Sequence, residues 1–180
     1  MKRTLIASVF LFSLVTAAVL LGSARTANAT EVGYGRKFGL GFVLGDPTGL
    51  SAKLWIAPTN ALDFGLGFWG YGWDDCAGNG PCHHWGSHNG TFNMDYLWQS
   101  NIVRGQAQLD WHIGAGGRAL WFDGCNGDCW AIGARMPVGV DLMFANPSFL
   151  EVFFEIAPIL YVAPFFDFGI EGGLGVRFYF

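Results

Sequence analysis

The carboxy-terminal segment, residues 166–180, alternates between two kinds of position with a period of two residues. Because successive side chains of a β-strand point to opposite faces, this alternation predicts a strand with one apolar face and one polar face. The apolar set is Phe166, Phe168, Ile170, Gly172, Leu174, Val176, Phe178 and Phe180, and the other set is Asp167, Gly169, Glu171, Gly173, Gly175, Arg177 and Tyr179.

Seven earlier segments repeat this alternation, and no helical period follows the first 29 residues. Residues 46–49, 57–60 and 146–148 each contain a proline with glycine, asparagine, aspartate or serine nearby, a composition that favours turns between strands. The sequence therefore predicts an all-β domain of eight antiparallel strands. The predicted strands are 37–45, 50–56, 62–69, 92–99, 109–119, 130–142, 150–157 and 166–180.

Two kinds of closed barrel fit such strands, and they differ in which face points inward. A soluble barrel would bury Phe and Leu and cover its outside with Lys, Glu and Thr, whereas a transmembrane barrel does the reverse. Here the second face is mostly glycine with sparse charges of both signs, which suits the narrow interior of an eight-stranded barrel. We therefore predict a closed eight-stranded antiparallel transmembrane β-barrel, whose closure leaves no unpaired strand edge in lipid.

The charged residues of the second face are predicted to share the barrel lumen. Because buried charges must be paired and hydrogen-bonded, we interpret them as a structural ion network that plugs the barrel. A narrow path for protons or small ions is the alternative. The set consists of Lys37, Lys53, Asp63, Asp95, Asp110, Arg118, Arg135, Asp141, Glu151, Glu155, Asp167, Glu171 and Arg177.

The amino-terminal residues have the three-part layout of a secretory signal peptide. Lys2 and Arg3 precede an apolar run from Leu5 to Leu21, and residues 27–29 form an Ala-x-Ala cleavage site. We expect residues 1–29 to be cleaved and residues 30–180 to form one barrel domain, with an uncleaved membrane anchor as the alternative. Three of the ten basic residues lie in this leader, so the remaining chain is acidic, which argues against nucleic acid as a partner.

The longest insertion, residues 72–91, carries candidate chemistry outside the strands. Cysteines of an exported chain are expected to form disulfides, and the local pairs 76–82 and 125–129 are the simplest, with pairing between the two loops as the alternative. A zinc site formed by Cys82, His83, His84 and His88 is the unfavoured alternative, since their spacing fits no strong zinc pattern, and we predict no metal and no cofactor. Loops on a rigid frame concentrate binding residues, so this insertion is a candidate partner-binding loop. The cysteines are Cys76, Cys82, Cys125 and Cys129, and the loop residues are His83, His84, Trp85 and His88.

An enzymatic barrel would need a nucleophile beside a base. Some small barrels modify lipids with Ser, His and an acid that face the lipid, but His112 has the parity of the lumen and no serine is placed beside it. We predict that the protein is not an enzyme, and lipid modification stands as an unfavoured alternative.

Several stretches resemble one family, the small OmpA-like barrels first noticed in Lyme-disease spirochaetes and present in other Gram-negative bacteria. The resemblance covers nearly all of the chain after the leader and implies an eight-stranded outer-membrane barrel. A spirochaete member is associated with binding a host complement regulator, but the cysteine-bearing loop departs from the pattern, so this role is not transferred. The stretches are Gly39–Lys53, Ala61–Phe68, Met136–Asp141 and Glu151–Pro158.

The chain also ends in Gly-x-x-aromatic-x-aromatic, formed by Gly175, Phe178 and Phe180, which resembles the signal read by the barrel-assembly machinery. The resemblance implies an integral outer-membrane monomer with both termini in the periplasm and the long loops outside. The implied partners are outer-membrane lipid, lipopolysaccharide and the assembly machinery, and the candidate partner-binding loop adds an unknown extracellular ligand. Aromatic girdles at the two rims are expected from Trp69, Tyr71, Trp121, Phe122 and Trp130, and from Trp55, Trp98, Phe144 and Phe149.

Overall fold

The structure, a computed structural model, describes residues 37–69, 74–75, 83–84, 90–104, 107–121, 130–144, 147–164 and 166–180. The predicted signal peptide lies outside the described residues. Within the described ranges no helix has the length and apolar composition needed to cross a membrane. The strands are β1 (Phe38–Asp46), β2 (Thr48–Ala57), β3 (Asn60–Trp69), β4 (Asp74–Asp75), β5 (His83–His84), β6 (Gly90–Arg104), β7 (Ala107–Trp121), β8 (Trp130–Arg135), β9 (Val138–Phe144), β10 (Leu150–Ala163) and β11 (Asp167–Tyr179).

Nine of these strands form one antiparallel sheet that closes on itself. The last strand, β11, pairs with β10 on one side and with β1 on the other, so the first and last strands are neighbours. Gly39 lies opposite Tyr179, and Leu44 lies opposite Leu174. The short strands β4 and β5 form a separate ribbon. The predicted closed, antiparallel all-β barrel is therefore observed.

The strand count differs from the predicted eight because the predicted strand 130–142 is broken in two. Both pieces, β8 and β9, pair with the same neighbours, β7 and β10, and so occupy one position around the barrel. Pro137 lies at the break and has no N–H to donate to a neighbouring strand. Two bonds bridge the gap: Gly114 N–H donates to the Pro137 carbonyl (2.8 Å), and Met136 N–H donates to the Pro158 carbonyl (3.1 Å).

Several strands are longer than the sequence predicts. The strand β6 continues to Arg104, so most of the polar connection predicted over residues 100–106 is strand, and β10 covers half of the connection predicted over residues 162–165. The turn between β1 and β2 requires glycine at Gly45, which has φ = 142° and whose added Cβ would meet the Gly172 carbonyl oxygen at 2.2 Å. Thr48 Oγ donates a bond to the Gly45 carbonyl (2.8 Å) and closes this turn.

The two faces of the sheet follow the predicted parity. In β11, Phe168, Ile170, Leu174 and Phe178 are exposed, whereas Glu171 and Arg177 are buried inside the barrel. Exposed aromatic and aliphatic side chains occur on every strand of the barrel wall, from Phe42 in β1 onward. The outside of the barrel is thus apolar and the interior is polar.

Two apolar clusters lie inside the barrel near its opposite ends. Near the end that carries the chain terminus, the cluster comprises Trp55, Ala61, Leu97, Met143 and Tyr179. The second cluster, near the other end, comprises Leu120, Ala131, Ile159 and Tyr161.

The prediction that Trp55 belongs to an external aromatic girdle is wrong. Trp55 has the lumen parity and is buried in the first cluster, where its indole N–H donates to Tyr179 Oη at 3.2 Å. The other predicted rim residues that the structure describes are on the outside: Trp69, Trp98, Trp121, Trp130 and Phe149 are exposed, and Phe144 is half-buried. Tyr71 and Phe122 lie outside the described residues.

Candidate functional site in the barrel lumen

Arg177, near the end of β11, has a partner for each nitrogen of its guanidinium group. Its Nη2 donates to Asp63 at 2.6 Å, its Nη1 donates to Glu151 at 2.8 Å, and its Nε donates to the Ser51 hydroxyl at 2.8 Å. The face of the same group lies 3.7 Å from the centre of the Phe153 ring. A guanidinium is planar and can use its edge for carboxylates while its face stacks on an aromatic ring.

The Phe153 ring also explains one glycine of the carboxy-terminal strand. A Cβ added to Gly175 would lie 2.3 Å from this ring, so only glycine leaves room for Phe153 to reach Arg177. Gly175 therefore has a packing role inside the barrel, while the exposed Phe178 and Phe180 point outward. Recognition of these three residues by the assembly machinery stays a prediction.

A second group of ion pairs lies around Arg135 and Arg118. Arg135 contacts three carboxylates, each from a different strand, and Arg118 contacts Glu171 together with Asp46, the latter at 3.5 Å. Glu171 therefore lies between two guanidinium groups. The three carboxylates that contact Arg135 are Asp95, Glu155 and Glu171.

His112 lies between two carboxylates and connects the arginine groups to Lys53. Its Nδ1 is 2.6 Å from Asp141, and its Nε2 is 3.1 Å from Glu155. Lys53 Nζ is in turn 3.3 Å from Asp141 and 3.6 Å from Glu151. An ionised carboxylate only accepts hydrogen bonds, so an imidazole between two of them fits best as the doubly protonated cation.

Asp110 differs from the other lumen carboxylates because its observed partners are neutral amides. Gln99 (3.1 Å), Asn101 (2.7 Å) and Gln108 (2.7 Å) all donate side-chain N–H groups to it. Hydrogen bonds of this kind stabilise a buried carboxylate without a cation.

Eleven of the residues predicted to line the lumen are buried there, and two are not. Lys37 is exposed and precedes β1, because the strand begins one residue later than predicted. Asp167 is half-buried at the first position of β11, where its carboxylate accepts the N–H of Phe168 at 2.8 Å. The buried residues are Lys53, Asp63, Asp95, Asp110, Arg118, Arg135, Asp141, Glu151, Glu155, Glu171 and Arg177.

The predicted ion network leaves out the neutral polar members of the lumen and the cationic role of His112, although the alternation already places most of these residues on the inner face. The signal that could have found them is the same parity, since each lies an even number of residues from a predicted lumen charge on its strand. These residues are Ser51, Thr91, Asn93, Gln99, His112 and Tyr179. Ser51, Gln99, His112 and Tyr179 bond to charged members of the network and so supply donors and acceptors between the charges.

Comparison with known proteins finds a likeness in fold to one solved structure. No family model matches the chain, and no curated protein matches it either. A solved structure does match: the crystal structure of the N-terminal β-barrel domain of Pseudomonas aeruginosa OprF aligns with 81% of this chain and 98% of that chain. The TM-score is 0.56 and the sequence identity is 13%. The fold is shared. At this identity the likeness concerns the fold alone, and it confirms the small barrel that the OmpA-like resemblance implied.

The candidate loop residues are only partly described. In the β4–β5 ribbon, Asp74 pairs with His84 and Asp75 pairs with His83. All four cysteines, together with Trp85 and His88, lie outside the described residues, and the disulfides stay a prediction.

The lumen geometry gives no support to the lipid-modifying alternative. A catalytic His would need a free ring nitrogen beside a nucleophile, but both ring nitrogens of His112 lie against carboxylates. His112 is also buried inside the barrel rather than directed at lipid.

Proposed function

We propose that the protein is an integral outer-membrane barrel protein with a structural role, whose polar lumen is plugged by its own side chains. Its support is the combination of a closed sheet, an apolar outside and a charged, buried inside, which is the arrangement a lipid bilayer requires. Both termini would lie in the periplasm, and the protein would be a monomer after cleavage of residues 1–29.

The observation that carries the plug is the filling of the interior. The ion network lies between two apolar clusters, one near each end of the barrel, and a cavity within the network has a volume of about 30 Å³. One enclosed water needs roughly 10–15 Å³ by this measure, so the space holds one or two waters, far fewer than an aqueous path through the barrel would contain. Eight positions around a barrel leave an interior that side chains alone can fill.

The purified protein is therefore expected to give no stable single-channel current in planar lipid bilayers. An ion would have to displace charged side chains that have partners on several strands, as Arg135 and Arg177 do. A known porin taken through the same reconstitution shows that open channels are detected, and protease protection of the barrel shows that it has inserted. Reproducible current steps from the inserted protein would replace the plug by the alternative function, a small channel for ions or protons.

Binding by the outer loops is the second candidate function, and the β4–β5 ribbon is the observation that favours it. The ribbon shows that the insertion between β3 and β6 has paired backbone of its own, which can present side chains at fixed positions. Lipopolysaccharide and an unknown extracellular ligand are the proposed partners of this loop.

Replacing residues 77–89 by a flexible linker of equal length is expected to remove surface cross-links to partners while the barrel still forms. Barrel formation is checked by the electrophoretic mobility of the unheated protein, and cross-links are compared on whole cells by mass spectrometry. The matched control replaces residues 122–129, the other cysteine-bearing loop, in the same way. An unchanged cross-link pattern combined with altered envelope permeability would leave the protein with a structural role alone.

A further inference from the structure

The turn between β1 and β2 ends below the rim of the barrel wall and is folded into the lumen. Asp46, the last residue of β1, lies opposite Gly172, whereas the neighbouring strand β11 continues beyond this level to Asp167. Pro47, at the tip of the turn, is buried, and a Cβ added to Gly67 of β3 would overlap its ring. Glycine at position 67 therefore leaves the space that Pro47 fills inside the barrel.

Asp46 reaches from this turn across the width of the lumen. Its carboxylate lies 3.5 Å from Nη2 of Arg118 on β7. Three strand positions separate β1 from β7 in either direction around the closed sheet: β2, β3 and β6 on one side, and β11, β10 and the position shared by β8 and β9 on the other. The two strands therefore stand opposite each other, and the ion pair spans the barrel.

The same turn forms part of the wall of the cavity inside the ion network. Val43, Asp46 and Pro47 line this cavity together with Asn93 and Arg135, and its volume is about 30 Å³. The side chain of Asp46 is 19% exposed, so solvent reaches the cavity wall at this residue. The second apolar cluster, which comes from β7, β8 and β10, lies at the same end of the barrel. The turn therefore completes the cover of this end on the side of β1, β2 and β3.

The contact between Asp46 and Arg118 can break without leaving a buried charge unpaired. Arg118 also contacts Glu171, so its guanidinium group keeps a carboxylate when Asp46 moves away. Asp46 in turn moves into solvent that already reaches it, where an ionised carboxylate is stable. Arg177 is the opposite case, because it and its two carboxylate partners are all buried, and separating them would leave charges without partners in a dry site.

We propose that the β1–β2 turn is a lid on the lumen and that the ion pair between Asp46 and Arg118 is the latch that holds it closed. The inference rests on the proposed plug and divides it into two halves. When the lid is open, the cavity is accessible from the outer side, while the contacts of Arg177 and the first apolar cluster keep the inner half filled. The open form is a vestibule closed at its inner end, so it carries no current.

The rate at which iodoacetamide, a small neutral reagent, alkylates a cysteine in the cavity wall measures the opening of the lid. Asn93→Cys places a thiol at a position that is 5% exposed, beside a cavity that holds one or two waters and has no room for the reagent. Adding Asp46→Asn should raise the alkylation rate about 10-fold, which corresponds to about 1.4 kcal/mol and lies between the values of exposed and buried ion pairs. The full-length protein is inserted in lipid vesicles, and mass spectrometry of the peptide that contains residue 93 gives the rate.

Two controls separate opening of the lid from a general loosening of the barrel. Asp167→Asn removes an acidic group at the same end, whose carboxylate accepts the N–H of Phe168, and should leave the rate unchanged. Ala61→Cys, at a fully buried position of the first apolar cluster, should stay unreactive with and without Asp46→Asn. High salt should accelerate alkylation at residue 93 when Asp46 is present but not in Asp46→Asn, because salt screens a partly exposed ion pair.

The lid is overturned if alkylation at residue 93 is slow and Asp46→Asn leaves it slow, or if Asp167→Asn accelerates it equally. In the first case the turn is a fixed part of the plug, and the proposed function stands without a lid. Rapid alkylation at residue 61 in the protein that retains Asp46 would instead show that the lumen is open at its inner end, and the plug then fails together with the lid.

Discussion

Replacing Arg177 with methionine is expected to destabilise the barrel by about 3–5 kcal/mol, the cost of leaving a buried charge without its partner. Arg177 is 1% exposed and binds Asp63, Glu151 and Ser51 from three other strands. Methionine keeps much of the volume of the side chain but removes the donors. Two carboxylates then remain in a site from which water is largely excluded. Urea unfolding of the protein in lipid vesicles measures the loss through the midpoint, provided that the slope is unchanged.

The control is a double variant that carries both Arg177→Met and Asp63→Asn. Asparagine removes one of the two carboxylate charges that Arg177→Met leaves without a partner. The double variant should recover part of the stability lost in Arg177→Met, and a double-mutant cycle with the single variants gives the coupling energy. Arg177→Lys tests geometry, since lysine keeps the charge but lacks the planar fork that reaches three partners. A loss below about 1 kcal/mol for Arg177→Met, the scale of an exposed ion pair, would show that the network is hydrated.

The faces of the strands could be predicted from the sequence, but the pairs inside the barrel could not. Parity assigns a side chain to the lumen or to the outside, and this was sufficient to place Arg177 and Asp63 on the same inner surface. Their contact joins residues that are 114 positions apart, and it depends on the height of each residue along the barrel axis. That height follows from the tilt of the strands and from the stagger between them, which alternation does not encode.

The errors made from the sequence have specific physical reasons. The alternation predicts a lumen position for Lys37 because it extends one residue before β1. The Lys37 carbonyl still accepts the N–H of Trp55 (2.8 Å), but its side chain is exposed at this end of the barrel. The residue type of Trp55 predicts an external girdle position, whereas its parity already indicates the inside, where the side chain is buried. The break at Pro137 was available from the sequence, since proline cannot donate to either neighbouring strand.

Replacing Leu174 with arginine is expected to destabilise the barrel by about 2–4 kcal/mol, the cost of a charge on the lipid face near the middle of the bilayer. Leu174 is 54% exposed and lies in the middle of β11, opposite Leu44 on one side and Phe154 on the other. The same exposure on a water-soluble protein would predict a change within about 0.5 kcal/mol, because surface substitutions are usually tolerated. The variant therefore tests the membrane location itself, independently of the lumen.

Phe38→Arg is the matched control for this substitution, because Phe38 is also exposed but lies at the first position of β1. A charge near the membrane interface costs about 0–1 kcal/mol, since the side chain reaches the headgroups and water. Both variants are unfolded by urea from vesicles of one lipid composition, so only depth differs between them. If Leu174→Arg costs no more than Phe38→Arg, the exposed apolar surface of the barrel does not face hydrocarbon, and the outer-membrane proposal fails although the fold is unaffected.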